Sequence, residues 1–291
     1  MSGAFFAMLD QHRAHFQHGP IDLIIEAQGD AAAVREAHAR ARRRFDGLLE
    51  SLVAELPLLR SDVRQARALR GAVAQRMLKA CWPHRDGFIT PMAAVAGAVA
   101  DEMLATLQAP GIRKAYVNNG GDIALHLAAG ESFTVGVAEG LARLAGDIRV
   151  TAAAGIRGIA TSGWRGRSFS RGIADSVTVL AADAATADAA ATMIANAVNI
   201  EDAAIERRSA SALKDDSDLG ERLVTVDVGA LPDAKIAAAL AGGRALAQTL
   251  LDTHLILGAA LFLQGNAAVV GFAAQAGRHG RVPARAQLST A

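Results

Sequence analysis

The sequence predicts an α+β protein in which an antiparallel sheet packs with helices. Three observations carry that expectation. Helix-like and strand-like stretches come in blocks rather than in regular alternation, which argues against a βαβ repeat. The strand-like stretches between positions 114 and 181 are joined by short Gly-rich turns, which suit antiparallel pairing. The chain is 291 residues long and 52% apolar, and although 67 of its residues are Ala, the larger apolar side chains suffice for an ordinary core.

The elements follow in order. A strand is expected at Ile21 to Ala27, closed by Gly29, and then a helix from about Asp30 to Leu56 with Asp30 as its N-cap and Pro57 as its stop. A second helix is expected over Ser61 to Ala80, where Val63, Ala66, Leu69, Val73 and Met77 recur at helical spacing and Arg60, Arg64, Arg67 and Arg70 form a solvated face. Thr90-Pro91 reads as a cap followed by proline at the first helical position, opening a third helix to Leu107. Strands are then expected at Lys114 to Val117, Ile123 to Leu127, Phe133 to Ala138, Ile148 to Ala153, Gly158 to Ala160 and Ser176 to Ala181. A helix at Ala187 to Asn199, a polar loop at Ile200 to Gly220, a strand at Leu223 to Val228 and a helix at Asp233 to Thr249 complete the series. Residues 1–277 form a single domain in this reading, and 278–291 a loose polar tail.

Leu255 to Phe272 is an uncharged, mostly apolar run of 18 residues, the lower limit for a membrane span. Gln264-Gly265-Asn266 in its centre divides it into two short apolar runs, so a buried β-hairpin is the better expectation and no membrane partner is expected. With 30 basic against 29 acidic side chains, no overall field draws the molecule to nucleic acid. The expected partner is a small ligand, with a homo-oligomer left open by the apolar hairpin. Cys81 is the only cysteine and the first 18 residues lack a signal-peptide core, which together lead to a cytoplasmic expectation.

Three segments hold candidate chemistry. Asp188, Thr192 and Asn196 fall at i, i+4 and i+8 on a helix otherwise built of Ala, Met, Ile and Val. Such an oxygen stripe suits a hard cation such as Mg²⁺. It is equally accounted for by an Asp offsetting the helix dipole and a Thr bonding back to its own backbone. In Asn118-Asn119-Gly120-Gly121-Asp122, the glycines let backbone amides approach a ligand, or simply make a tight hairpin turn. The stretch from Thr161, Ser162 and Gly163 to Gly172 combines Gly, Arg165, Arg167, Arg171 and hydroxyl side chains, which can wrap a phosphate or form a mobile surface loop. No Walker sequence, Rossmann fingerprint or zinc spacing is present, and the eight histidines show no triad arrangement.

The order Gly-Gly-Asp, Thr-Ser-Gly, a Ser-Val-Thr-Val strand and Ala-Asp-x-x-x-Thr on a helix resembles the ApbE family of FAD:protein FMN transferases, over roughly Gly97 to Asn199. The resemblance implies a T-fold-related α+β architecture and FAD in a cleft contacted by Asn119, Gly120, Gly121, Asp122, Thr161, Ser162 and Gly163. It also implies Mg²⁺ held partly by Asp188 and Thr192. Two departures stand out. Where transferases carry a His-Ile-Ile-Asp-Pro-type motif, this chain has Ser170-Arg171-Gly172-Ile173-Ala174-Asp175, and where they carry Ala-Lys-Gly it has Val95-Ala96-Gly97. A lipoprotein cysteine near the N-terminus is also missing. Asp175 is the carboxylate left near the absent histidine and is the candidate base. The resulting expectation is Mg²⁺-dependent cleavage or transfer at the FAD pyrophosphate; the alternative is a non-catalytic module that binds a flavin or another anionic metabolite.

Overall fold

The computed structural model describes residues 3–138 and 144–271. Its elements run β1 (Phe5–Met8), β2 (Arg13–His18), β3 (Ile21–Gly29), α1 (Ala31–Phe45), α2 (Leu48–Val53), α3 (Leu56–Leu59), α4 (Ala72–Cys81), α5 (Val95–Leu107), β4 (Ile112–Asn119), β5 (Asp122–Leu127), β6 (Ser132–Ala138), β7 (Leu144–Thr151), β8 (Gly158–Ser162), β9 (Ser176–Ala181), α6 (Ala184–Ala197), β10 (Ile205–Ser209), α7 (Ala210–Leu213), β11 (Leu223–Val228), α8 (Asp233–Asp252), β12 (Gly258–Leu263) and β13 (Asn266–Val270). Nine of the strands form one sheet in the order β1-β2-β3-β4-β5-β8-β9-β12-β13, and every pairing in it is antiparallel. The pairs β6–β7 and β10–β11 are separate hairpins. This is the expected α+β class.

Two apolar clusters fill the helical side of the sheet. One joins Phe16, Leu23 and Ile25 of β2 and β3 to Phe45, Met77 and Met103 of α1, α4 and α5. The other joins Val177, Val179 and Leu261 of β9 and β12 to Ile194 and Ile236 of α6 and α8. Helix α6 belongs to both, through Ala184, Ala185 and Ala189 on one side and Ala187, Ala190 and Ala191 on the other. A helix packed on several sides must keep its side chains short, which explains its run of Ala.

Close packing of α6 shows at Gly97 of α5, where a Cβ would lie 2.2 Å from the Ala184 carbonyl oxygen, and at Gly172, where one would lie 2.0 Å from the Ala195 carbonyl oxygen. Asp101 of α5 is buried at the same crossing and accepts from the Ala184 and Ala185 amides at 3.0 and 2.9 Å, while Asp183 caps the helix by accepting from Thr186 N–H at 2.7 Å. These two carboxylates satisfy amides that a helix start leaves unpaired.

Several expectations need correction. The helix expected over residues 30–56 is α1 and α2, broken where Gly47 takes a left-handed φ of 76°, and Pro57 does not stop it but sits in the first turn of a further short helix, α3. Asp30 stands at the cap position of α1 without a side-chain cap bond. The helix expected over 61–80 begins only at Ala72, after a short 3-10 turn at Ala66–Ala68, because Leu69 and Gly71 are extended. Its arginines therefore share no helical face. Residues before Ile21, given no element, pair as β1 and β2, and the expected polar loop at 200–220 contains β10 and α7. Helix α6 starts at Ala184 rather than Ala187.

The closing apolar run is the expected hairpin, with Leu263 paired to Asn266 across Gln264-Gly265. Among the described residues no helix is long and apolar enough to cross a membrane. The tail expected at 278–291 lies outside the described residues.

Candidate active site

A cleft of about 1070 Å³ opens beside the first apolar cluster, whose Ile21, Ile89 and Val99 line it, and is bounded by Asp188, Thr192 and Asn196 of α6. All ten residues singled out from the sequence line it: Asn119, Gly120, Gly121, Asp122, Thr161, Ser162, Gly163, Asp175, Asp188 and Thr192. A smaller hollow of about 290 Å³ lies elsewhere, beneath Phe5 and Phe6.

The β4–β5 turn enters the cleft as a two-residue hairpin, since Asn119 pairs with Asp122. Gly120 and Gly121 adopt φ of 66° and 113°, a combination that L side chains resist. The Asn118 side chain accepts from Gly121 N–H at 2.8 Å, and Asn119 Nδ2 donates to the Ala96 carbonyl at 3.1 Å, fixing the turn against the start of α5. The tight-turn reading of this segment holds, and the turn also lines the cleft.

Asp122 and Asp188 lie at the base of the cleft, joined by a side-chain hydrogen bond, which needs a proton on one of the two carboxyls. Asp122 accepts from Thr161 N–H at 3.2 Å, and Asp188 Oδ2 accepts from Gly97 N–H at 3.0 Å at the start of α5. Burial pushes Asp122 up to about 7, against the pull of the Thr161 amide and the Arg167 guanidinium. Burial, and then the charge of Asp122, also hold Asp188 well above the ordinary carboxylate range, although the Gly97 and Ala96 amides oppose this. Two neighbouring acids in one sheltered site resist ionising together without a cation.

The bland account of the α6 stripe does not survive. Asp188 sits in the second turn, the helix start being served by Asp183 and Asp101. Among the described residues Thr192 makes no hydrogen bond to the backbone of the preceding turn, and it lines the cleft. Asn196 Oδ1 accepts from Arg171 N–H at 2.9 Å and so moors the Arg-rich loop to α6.

That loop brings Arg165, Arg167 and Arg171 to the cleft. Arg167 lies over Gly120, where a Cβ would meet its Nη2. Asp175, at the loop's end, has both oxygens engaged: Arg165 Nε donates to Oδ1 at 2.7 Å, and Gln264 N–H donates to Oδ2 at 2.5 Å. A base role for it requires Arg165 to move away.

Sequence reasoning missed a second wall. Arg60, Phe88, Thr90 and the segment 214–219 also line the cleft. The sequence puts Arg60 on a solvated helix face and residues 214–219 in a polar loop, and no local signal links positions 156 residues apart.

Fold and site together define an α+β protein whose cleft sets a buried pair of acids against arginines. Residues 6–269 match the family described as AbpE bacteria, and the chain belongs to this ApbE-related family. Its curated relatives are archaeal proteins named UPF0280. That of Methanothermobacter thermautotrophicus is 44% identical over 117 residues, 40% of this chain and 45% of its own length, so the match spans less than half of that relative. That of Methanopyrus kandleri is 36% identical over 211 residues, 70% of this chain and 83% of its own length. That of Methanosarcina barkeri is 33% identical over 198 residues, with 67% and 76% covered.

Proposed function

We propose that the cleft binds a flavin dinucleotide, FAD, together with Mg²⁺, and acts at the pyrophosphate by cleavage or transfer of the FMN half. The observation that carries this reading is the meeting, in one cleft, of the Asp122–Asp188 pair with Arg165, Arg167 and Arg171. The donor set suits a hard cation: a pair of carboxyls that burial makes hold a proton, which an ion would displace, and the hydroxyl of Thr192. Among the described residues no three His, Cys, Asp or Glu side chains group to hold a metal alone, and Mg²⁺ usually completes its shell with water and ligand phosphates.

When bound, Mg²⁺ would neutralise charge developing on the pyrophosphate. The arginines would grip phosphate oxygens through paired N–H groups, and the Gly120–Gly121 backbone would let the ligand approach closely. In hydrolysis, water adds to one phosphorus, the bridging P–O bond breaks, and the proton of water passes to a base, for which Asp175 is the candidate once Arg165 releases it. Incubation with FAD and Mg²⁺ should give FMN and AMP above a protein-free blank; neither product appearing would sink the catalytic reading.

One observation favours a second reading, a non-catalytic flavin or anionic-metabolite module: the carboxylate of Asp175 is already tied to Arg165 and Gln264. Flavin binding that persists in Asp188→Ala without turnover supports it. The absorbance spectrum of freshly purified protein tests both readings, since a bound flavin absorbs near 450 nm only if the cleft takes one.

A further inference from the structure

The second wall of the cleft has an arrangement that the flavin reading does not use. Segment 214–219 leaves α7, crosses to the N-terminal half of the fold and returns to β11. It is pinned at two points. The Asp218 carboxylate accepts from the hydroxyl of Thr90, which is buried in the opposite wall. Nearer the mouth, Asp216 Oδ2 takes a hydrogen bond from Arg60 Nη2 at 2.7 Å, while its Oδ1 lies 3.6 Å from Lys214 Nζ. Arg60 and Lys214 both line the cleft, and both are therefore cations facing a cavity in which a carboxylate of the chain itself holds them.

The inner bond is sheltered, but the outer pair is 31% and 55% exposed. Exposed ion pairs contribute little and are readily exchanged for a better partner. A phosphate offers more charge than a carboxylate and the same two-oxygen geometry toward a guanidinium.

We propose that Arg60 and Lys214 form a second anion subsite, specific for a phosphate or pyrophosphate group of the ligand, which Asp216 fills in the free protein and vacates on binding. Asp218, on Thr90, is the root about which the outer part of the segment moves. The subsite rests on reading the cleft as the place of a phosphate-bearing ligand, and it adds selection for ligands whose charge reaches the mouth as well as the base.

The test uses inorganic pyrophosphate and FAD as separate probes, with affinity measured by calorimetry at fixed salt. Asp216→Asn removes the competing charge at an exposed position and should lower the Kd for pyrophosphate about two- to fivefold, the range a released surface ion pair allows. Arg60→Ala should raise the Kd, and adding Asp216→Asn to it should recover only the smaller part owed to Lys214, because the guanidinium that Asp216 holds at 2.7 Å is gone. An unchanged or raised Kd in Asp216→Asn, full recovery in the double variant, or no pyrophosphate binding by Asp216→Asn overturns the subsite. Pyrophosphate responding as stated while FAD does not bind removes the flavin reading and keeps the subsite. If FAD binds and neither variant alters either ligand, the subsite fails alone.

Discussion

Asp122 and Asp188 share a hydrogen bond only while one of them keeps a proton, and this makes the site sensitive to pH in a definite direction. A carboxyl whose pKa rises on folding stabilises the native state below its unfolded value, here 3.8 for Asp122, and that contribution is lost as pH rises through the folded value of about 7. Asp101 has the same sign, burial raising it to about 6. His84 opposes them: burial lowers it to about 4, so its contribution is full above its ordinary 6.5 and fades on acidification. Comparing wild type with Asp122→Asn cancels Asp101 and His84 and isolates the pair. In chelator, the Tm of Asp122→Asn should gain on wild type between pH 5 and 8, and Mg²⁺ should reverse the gain; a difference that stays flat with pH would contradict the shared proton.

At the scale of elements, the approach of α5 to α6 serves both packing and the site. A methyl at Gly97 would meet the Ala184 carbonyl at 2.2 Å, so the helices must separate, and the amides of Ala96 and Gly97 that face Asp188 move with them. Gly97→Ala should cost about 3 kcal/mol in urea unfolding, and among the molecules still folded it should weaken Mg²⁺ binding. A stability near wild type would show that the crossing is looser than described. Asn196→Ala should cost about 1 kcal/mol through the lost acceptor for Arg171 N–H. It should also lower ligand affinity, because the Arg-rich loop is then held less firmly; an affinity identical to wild type would count against that loop as a binding element.

What was legible at this scale follows from the range of the interactions. The Gly-Gly turn and the α6 stripe declare themselves within a few residues, and each stands where the sequence put it; Thr90-Pro91 opens a 3-10 turn without a side-chain cap bond, and the helix itself starts at Val95. Arg60 and Asp216 do not declare themselves, since their chemistry arises only from contact between distant segments. Helix periodicity misled over 61–71 for a related reason: the segment is held by tertiary bonds, such as Val63 N–H to the Ile89 carbonyl and Arg70 N–H to Glu55, rather than by helical ones.

Across the whole molecule, the cleft is walled by Ile89 and Val99 of the first apolar cluster and by Asp188, Thr192 and Asn196 of α6, so a ligand seated there touches the helix that the two clusters share. Binding should therefore stabilise the protein as a unit. FAD with Mg²⁺ at a hundred times its Kd should add about 2.7 kcal/mol and raise Tm by roughly 5–10 °C in one transition. No shift at millimolar FAD would speak against the flavin reading, and two separated transitions would show that the clusters unfold independently.

The strand order also carries a history of assembly. Strand β9, buried along its whole length, takes as its outer neighbour β12, with Leu180 paired to Gly258, and Asp175 at its threshold takes the amide of Gln264. During synthesis most of the first cluster can gather from residues up to about 125, with α6 adding Ala184, Ala185 and Ala189 later, but β9 waits with an apolar edge unpaired until the ribosome has released the closing hairpin. Closing so long a loop is slow. The interval before it closes is when the nascent chain is most exposed to aggregation and to the attention of chaperones.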